Sequence, residues 1–186
     1  MLALAVVFVV AGCSAGGPPP SPGASCNGVD VVPTAGYYPA LESLLPSTIA
    51  GATPGFVNSG RSCSSSSLGG LSQIGITDLH FAGAEFPATD TTGLSLVVYS
   101  APGLTANGLA DAFTSSASTN GSTNQITTSA VTIAGRPGVR IQVNNQDVIQ
   151  TLIFWPGAGP DTVNGVLASG VDEAHIQAAI AAFGTR

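Results

Sequence analysis

The sequence predicts an α+β fold, an antiparallel sheet of four to five strands packed against three to four helices. Three observations lead there. Four strand-like segments, residues 126–133, 139–144, 148–155 and 162–168, follow one another through short connections, and short connections require antiparallel neighbours. Two stretches, 105–117 and 172–183, carry apolar residues at helical spacing. Grouping strands with a few covering helices gives a layered α+β domain.

Taken in order, residues 37–45 read as a short helix with Leu41, Leu44 and Leu45 as its buried stripe, Pro39 in its first turn and Pro46 ending it. Residues 47–72 are rich in Gly and Ser, with Thr48-Ile49 and Phe56-Val57 as short strands and Ser64 to Ser67 as exposed loop or edge strand. Residues 77–86 read as a second helix, because Leu79, Ala82 and Phe86 fall on one side and Thr77 suits an N-cap; Gly83 in the interior weakens it. A strand over 94–99 ends at Pro102-Gly103. The helix over 105–117 buries Leu109, Ala112 and Phe113 behind a Thr105 cap, and Ser118 to Asn124 form a polar loop.

Gly135-Arg136-Pro137-Gly138 and Asn144-Asn145-Gln146-Asp147 are the turns of the strand series, and residues 156–161 form its longer loop. Val139, Ile141 and Val143 alternate with Arg140, Gln142 and Asn144, so that strand has one wet face. In the last helix Ile176, Ala179, Ile180 and Phe183 share a face, Asp172 and Glu173 complement its dipole, and Gly184 ends it. The string Thr-Ile-Ala-Gly occurs at 48–51 and again at 132–135, each time as a strand running into a turn; four residues do not establish a duplication.

Composition narrows the function classes. Hydrophobic residues make up 44% of the chain and charged residues only 8%, against roughly 25% in ordinary soluble domains. There is no lysine, and Arg61, Arg136, Arg140 and Arg186 are the only strong cations against a net charge of −6. Nucleic-acid binding needs a basic stripe, so that partner is not expected, and an anionic membrane surface would not attract the domain by charge.

The N-terminus is the most specific feature. The apolar run Leu2 to Val10 is shorter than the roughly 20 residues that span a bilayer. It suits the h-region of a signal peptide and ends in Val10-Ala11-Gly12-Cys13, which resembles a bacterial lipobox, where peptidase cuts before a lipidated cysteine. No Lys or Arg precedes the run, which points to a start upstream of Met1 or to a trimmed chain. The competing readings are an ordinary cleaved signal with an incidental Cys13 and a buried strand of a cytosolic protein. Ser14 to Ser25, rich in Pro, Gly and Ser, cannot pack and reads as a tether, which argues against both. The expected organisation is therefore a signal peptide over 1–12, a lipidated Cys13 and tether over 13–25, and one domain over 26–186. Several acyl chains on Cys13, palmitate among them, would anchor the protein outside the cytoplasm, since two or more chains anchor stably.

With Cys13 assigned to lipid, Cys26 and Cys63 remain as an even pair in an exported chain and read as one disulfide, worth about 3–4 kcal/mol by the chain-entropy argument. Two free thiols are the alternative. With only His80 and His175 to add, a zinc spacing is not present, and no metal or cofactor is expected.

The order of elements and two stretches carry a further resemblance. One is Tyr38 to Pro46 followed by Ile49-Ala50-Gly51. The other is Val131 to Val139, followed by an aromatic-ended strand, a Gly-rich loop, Asp161-Thr162-Val163 and a terminal helix. They resemble small bacterial envelope lipoproteins of poorly defined function, and the layout is similar to the sheet-plus-helices sandwich of PsbP-like lipoproteins of actinobacteria. That resemblance implies a fold and an address, not a chemistry.

No nucleophile elbow, His-Glu-x-x-His or phosphate loop is present. His80 reads as packed at a helix edge and His175 as half-exposed; a hydrolase would need one of them joined to Ser or carboxylate in a cleft, with Asp78 or Glu85 as the carboxylate near His80. Asp147, Asp161 and Asp172 fall at turns and caps and read as structural. Trp155 reads as core or as the rim of a ligand cleft, which Tyr99, Tyr37 and Tyr38 would share if the fold gathers them. The expectation is thus a membrane-anchored, non-catalytic module for a protein partner or an apolar ligand. An envelope hydrolase and a purely structural surface protein are the alternatives.

Overall fold

The computed structural model describes residues 21–87, 92–119, 125–145 and 148–184. Eight strands form one antiparallel sheet: β1 (Val31–Thr34), β2 (Phe56–Ser62), β3 (Leu79–Pro87), β4 (Gly93–Ser100), β5 (Gln125–Ile133), β6 (Arg136–Asn145), β7 (Val148–Pro156) and β8 (Thr162–Ser169). Their order across the sheet is β1-β2-β3-β4-β8-β7-β6-β5. Two four-stranded meanders therefore meet at the β4–β8 pair. The helices are α1 (Pro39–Glu42), α2 (Ser65–Leu68), α3 (Gly70–Gln73), α4 (Ala106–Thr119) and α5 (Glu173–Phe183).

This corrects the sequence-based fold class, an α+β domain of four to five strands packed against three to four helices. Strand takes 43% of the described residues and helix 23%, and three of the five helices among them are single turns of four residues. The three strands that sequence reasoning missed or truncated, β1 to β3, all lie in the first meander. The segment read as a helix over 77–86 is β3, paired along its length with β2 and β4. Ser64 to Ser67, read as loop or edge strand, cap and form α2: the Ser64 side chain accepts from Ser67 N–H.

The sheet buries both faces. On one, α2, α3 and α4 cover Leu79, Val97, Tyr99, Ile141, Val143, Leu152, Phe154 and Val163. On the other, α1 and α5 lie over Ala82, Ala84, Phe86, Leu94, Leu96, Val98, Ile153, Trp155 and Val166. Successive residues of β3, β4, β7 and β8 alternate between the two cores, as strand geometry requires. Because both faces are apolar, the polar–apolar alternation that normally marks a strand disappears.

Helix α4 is the crossover from the sheet centre to its far edge, packing on β6 and β7 on the way. Thr105 caps it, accepting from Gly108 N–H at 3.0 Å. Asp172 caps α5 in the same way through His175 N–H at 2.9 Å. Arg140 of β6 then holds Glu173 in the first turn of α5 with two bonds of 2.9 and 2.7 Å.

The repeated Thr-Ile-Ala-Gly string adopts one conformation twice. Ile49 and Ala52 exchange both backbone bonds around Ala50 (φ 48°) and Gly51 (φ 86°). Ile133 pairs with Arg136 around Ala134 (φ 49°) and Gly135 (φ 78°). Positive φ at both central residues defines the two-residue turn whose twist matches paired strands. The β5–β6 turn is therefore Ala134-Gly135 rather than residues 135–138, and Arg136, Pro137 and Gly138 belong to β6. Of the second expected turn, Gln146 and Asp147 lie outside the described residues; Asn145 pairs with Val148 across it.

Alanine tolerates the left-handed region poorly, whereas asparagine favours it in such turns. Ala134→Asn, at an exposed site, is expected to raise stability by about 0.5–1 kcal/mol. Urea unfolding checks this as a shift of the midpoint with an unchanged slope.

Candidate functional site

Polar residues concentrate where the chain enters the domain, at the outer end of the first meander. Arg61 on β2 is 4% exposed, so its charge requires partners. Its Nε and Nη2 donate to the two carboxylate oxygens of Asp78 at 2.7 and 2.6 Å, and its Nη1 donates to the Ala24 carbonyl at 2.6 Å. One guanidinium thus ties the segment before β1 to the loop before β3.

Cys26 and Cys63 form the disulfide expected from their parity, with a Cα–Cα distance of 5.7 Å. Asp30 fastens the same corner, accepting from the backbone N–H of Cys63 and Ser64 at 2.6 and 2.8 Å and from the hydroxyls of Ser64 and Ser67. Partial burial would push the Asp30 carboxyl up; the donated bonds outweigh it and leave it below its ordinary value.

His80 on β3 faces Arg61 across the β2–β3 register. Its ring stacks on Tyr38 with centroids 4.4 Å apart, and Tyr38 meets Tyr37 edge-on at 4.6 Å. His80 Nε2 is 3.1 Å from Asp78 Oδ1, close enough for charge interaction but off the line of a hydrogen bond. Burial lowers the His80 pKa, and the attraction of Asp78 only partly offsets this, so the ring is neutral at pH 7. At Asp78 partial burial acts upward, but Arg61 and His80 together hold the carboxyl below its ordinary value. Burial pushes the Tyr38 phenol up to about 12. Ser59, fully buried, accepts from Tyr38 N–H at 2.6 Å and donates to Glu42 at 2.7 Å, pinning α1 to β2.

The chemistry of this cluster is structural. The ligand atoms of Cys26, Cys63 and Asp78 lie within 4.8 Å of one another. The two sulfurs are bonded to each other, however, and Asp78 is engaged at both oxygens, so no free donor set points at a common cation. The His80–Asp78 pair has the composition of a general-base dyad, but its carboxylate is neutralised by Arg61 and its ring is covered by Tyr38. His175 lies at the exposed start of α5, with Nδ1 2.7 Å from Asp172.

The other residues singled out by the sequence are placed apart. Tyr99 is 2% exposed on the α4 side, edge-on to Phe154. Trp155 is 3% exposed on the α5 side, edge-on to Phe183 at 5.2 Å. They belong to opposite cores and do not line a common cleft; Tyr37 and Tyr38 lie with His80 instead. Arg136 binds the carbonyls of Pro156 and Gly157 and so fixes the 156–160 loop. Cys13 lies outside the described residues. Sequence reasoning missed Arg61, Asp30 and Ser59, and it weighed Asp78 only as a neighbour of His80, where the structure does place it. The usable signal was a lone arginine inside an uncharged segment, which burial would force to find a carboxylate.

Among the described residues no helix is long and apolar enough to cross a membrane. Comparison with protein-family models, with curated proteins and with solved structures finds no match.

Two outcomes test the site. Asp78→Leu strands the buried Arg61 charge and is expected to cost about 3 kcal/mol, Arg61→Leu somewhat less because Asp78 retains water, and the double variant is expected to recover much of the loss. Urea unfolding of the four proteins gives the coupling. In the pH dimension, a group with a depressed folded pKa contributes stability above its ordinary value and loses it as pH falls. His80 therefore predicts a first loss of melting temperature beginning at 6.5, and Asp30 and Asp78 a second below 3.8. His80→Gln is expected to remove the first stage only.

Proposed function

We propose that the protein is an extracytoplasmic lipoprotein, held on the bacterial cell membrane by acyl chains on Cys13, whose domain is a non-catalytic binding or interaction module. The observation that carries this reading is the apolar run ending in Val10-Ala11-Gly12-Cys13 and followed directly by the Pro/Gly/Ser tether. The Cys26–Cys63 disulfide supports it, because disulfides persist in oxidising compartments.

The entry corner fits the same reading. A tether under tension pulls on the first residues of the domain, and Arg61, Asp30 and the disulfide fasten those residues to β2 and β3. What the module binds is a protein partner or an apolar ligand, since the domain offers few charges to a polar one. An envelope hydrolase is the second reading, and the His80–Asp78 pair is what favours it. The Arg61 clamp on Asp78 counts against it.

The test is membrane partition in a lipid-processing bacterial host. The natural chain is expected in the detergent phase, with an acyl mass on its N-terminal cysteine. Cys13→Ser is expected to move it to the aqueous phase or to leave it unprocessed. Equal partition of the two chains, with no acyl mass, would overturn the proposal.

A further inference from the structure

The two edges of the sheet are built differently. β1 carries several devices that protect an edge from pairing. It is four residues long, it contains Pro33, which has no N–H to offer, and its register with β2 shifts between Val31 and Thr34. The Thr34 hydroxyl also takes up the Val32 carbonyl at 3.0 Å.

β5 carries none of them. It is nine residues long and reads Gln-Ile-Thr-Thr-Ser-Ala-Val-Thr-Ile, with no charge, no proline and no glycine. Its register with β6 is unbroken from Gln125↔Asn144 to Ile133↔Arg136. Six of its nine residues are exposed, and among the described residues β6 is its one sheet neighbour. It is rich in β-branched residues, which favour pairing.

We infer that β5 pairs with β5 of a second copy of this chain, antiparallel about a two-fold axis through Ser129, to give a sixteen-stranded sheet across a homodimer. Symmetry makes the edge self-complementary: each outward N–H meets an equivalent carbonyl of the other copy. A two-fold axis normal to the sheet keeps each face on its own side, so paired residues must have an even sum of numbers. Centring on Ser129, the middle of the strand, uses all nine residues. It sets Thr127 opposite Val131, Thr128 opposite Ala130, and Ile126 opposite Thr132. No pair brings like charges together, so nothing in the strand opposes pairing with its own copy. The pairing leaves the tethered β1 edge at the two outer ends of the dimer, clear of the contact.

The experiment uses the full chain, purified in mild detergent from whichever cell fraction holds it, and measures its mass by sedimentation with bound detergent accounted for; it does not depend on whether Cys13 is acylated. A protein dimer is expected at micromolar concentration. Two double variants change the same exposed positions. Thr128→Lys with Ala130→Lys places lysine opposite lysine twice, and is expected to weaken the dimer by roughly tenfold or more. Thr128→Glu with Ala130→Lys places glutamate opposite lysine twice, and is expected to keep it. Matching circular dichroism melts for both variants exclude misfolding as the cause. A natural chain that stays monomeric at about 100 μM, or double variants that dimerise equally well, would overturn the inference; so would a monomer that pairs only with a different protein.

Discussion

The eight residue pairs from Gly93↔Ser169 to Ser100↔Thr162 join β4 to β8, and the rest of the domain depends on them. Each four-stranded meander pairs its strands in chain order, the first through connections that carry α1, α2 and α3 and the second through short turns and one longer loop. Once β4 and β8 pair, Leu94, Leu96 and Val98 of β4 lie in one core and Val97 and Tyr99 in the other. Two cores then share one sheet, and each helix set can bury its apolar side. The pairing joins residues 62 to 76 positions apart, so it must wait for chain closure that no local propensity supplies.

That constraint explains which parts of the fold can be read from the sequence. β4 to β8 are legible because apolar runs are bounded by turn chemistry, the Gly135 to Gly138 stretch and the 156–161 loop among them, although the first turn lies one residue earlier than it reads. β3 is not, because a strand covered on both faces loses its alternation, and Leu79, Ala82 and Phe86 happen to fall at helical spacing. Ala82, Gly83 and Ala84 add to the ambiguity, since small residues mark neither state strongly. β2 fails for a different reason. Phe-Val-Asn-Ser-Gly-Arg-Ser looks like solvent-facing loop, yet Ser59, Arg61 and Ser62 are buried. Burial is possible only because Glu42 and Asp78, each 17 residues away, come to meet Ser59 and Arg61. No pattern within β2 announces those partners.

The site divides in the same way. The Cys26–Cys63 bridge follows from counting cysteines, because two thiols have one way to pair once Cys13 is set aside. The Arg61–Asp78 clamp and the Tyr38–His80 stack do not follow, since they are products of the β2–β3 register. Trp155 and Tyr99 invite a shared cleft because both are aromatic residues near strand ends. Their positions in the sheet send them to opposite faces, and parity along β4 and β7 decides that more firmly than proximity to a loop.

Scarcity of charge links the interior to the edges. The chain has four arginines and no lysine. Arg61 is committed to Asp78, Arg140 to Glu173, and Arg136 to the carbonyls of the 156–160 loop; Arg186 lies outside the described residues. The long cationic side chains that ordinarily guard a sheet edge are thus spent on holding the fold together. A short β1 interrupted by Pro33 solves the problem at one edge without charge. At the other edge β5 is long, regular and neutral, and a sequence built this way leaves it one effective protection, which is to be paired. The low-charge composition that sets aside a nucleic-acid partner therefore also bears on where the domain meets its neighbours.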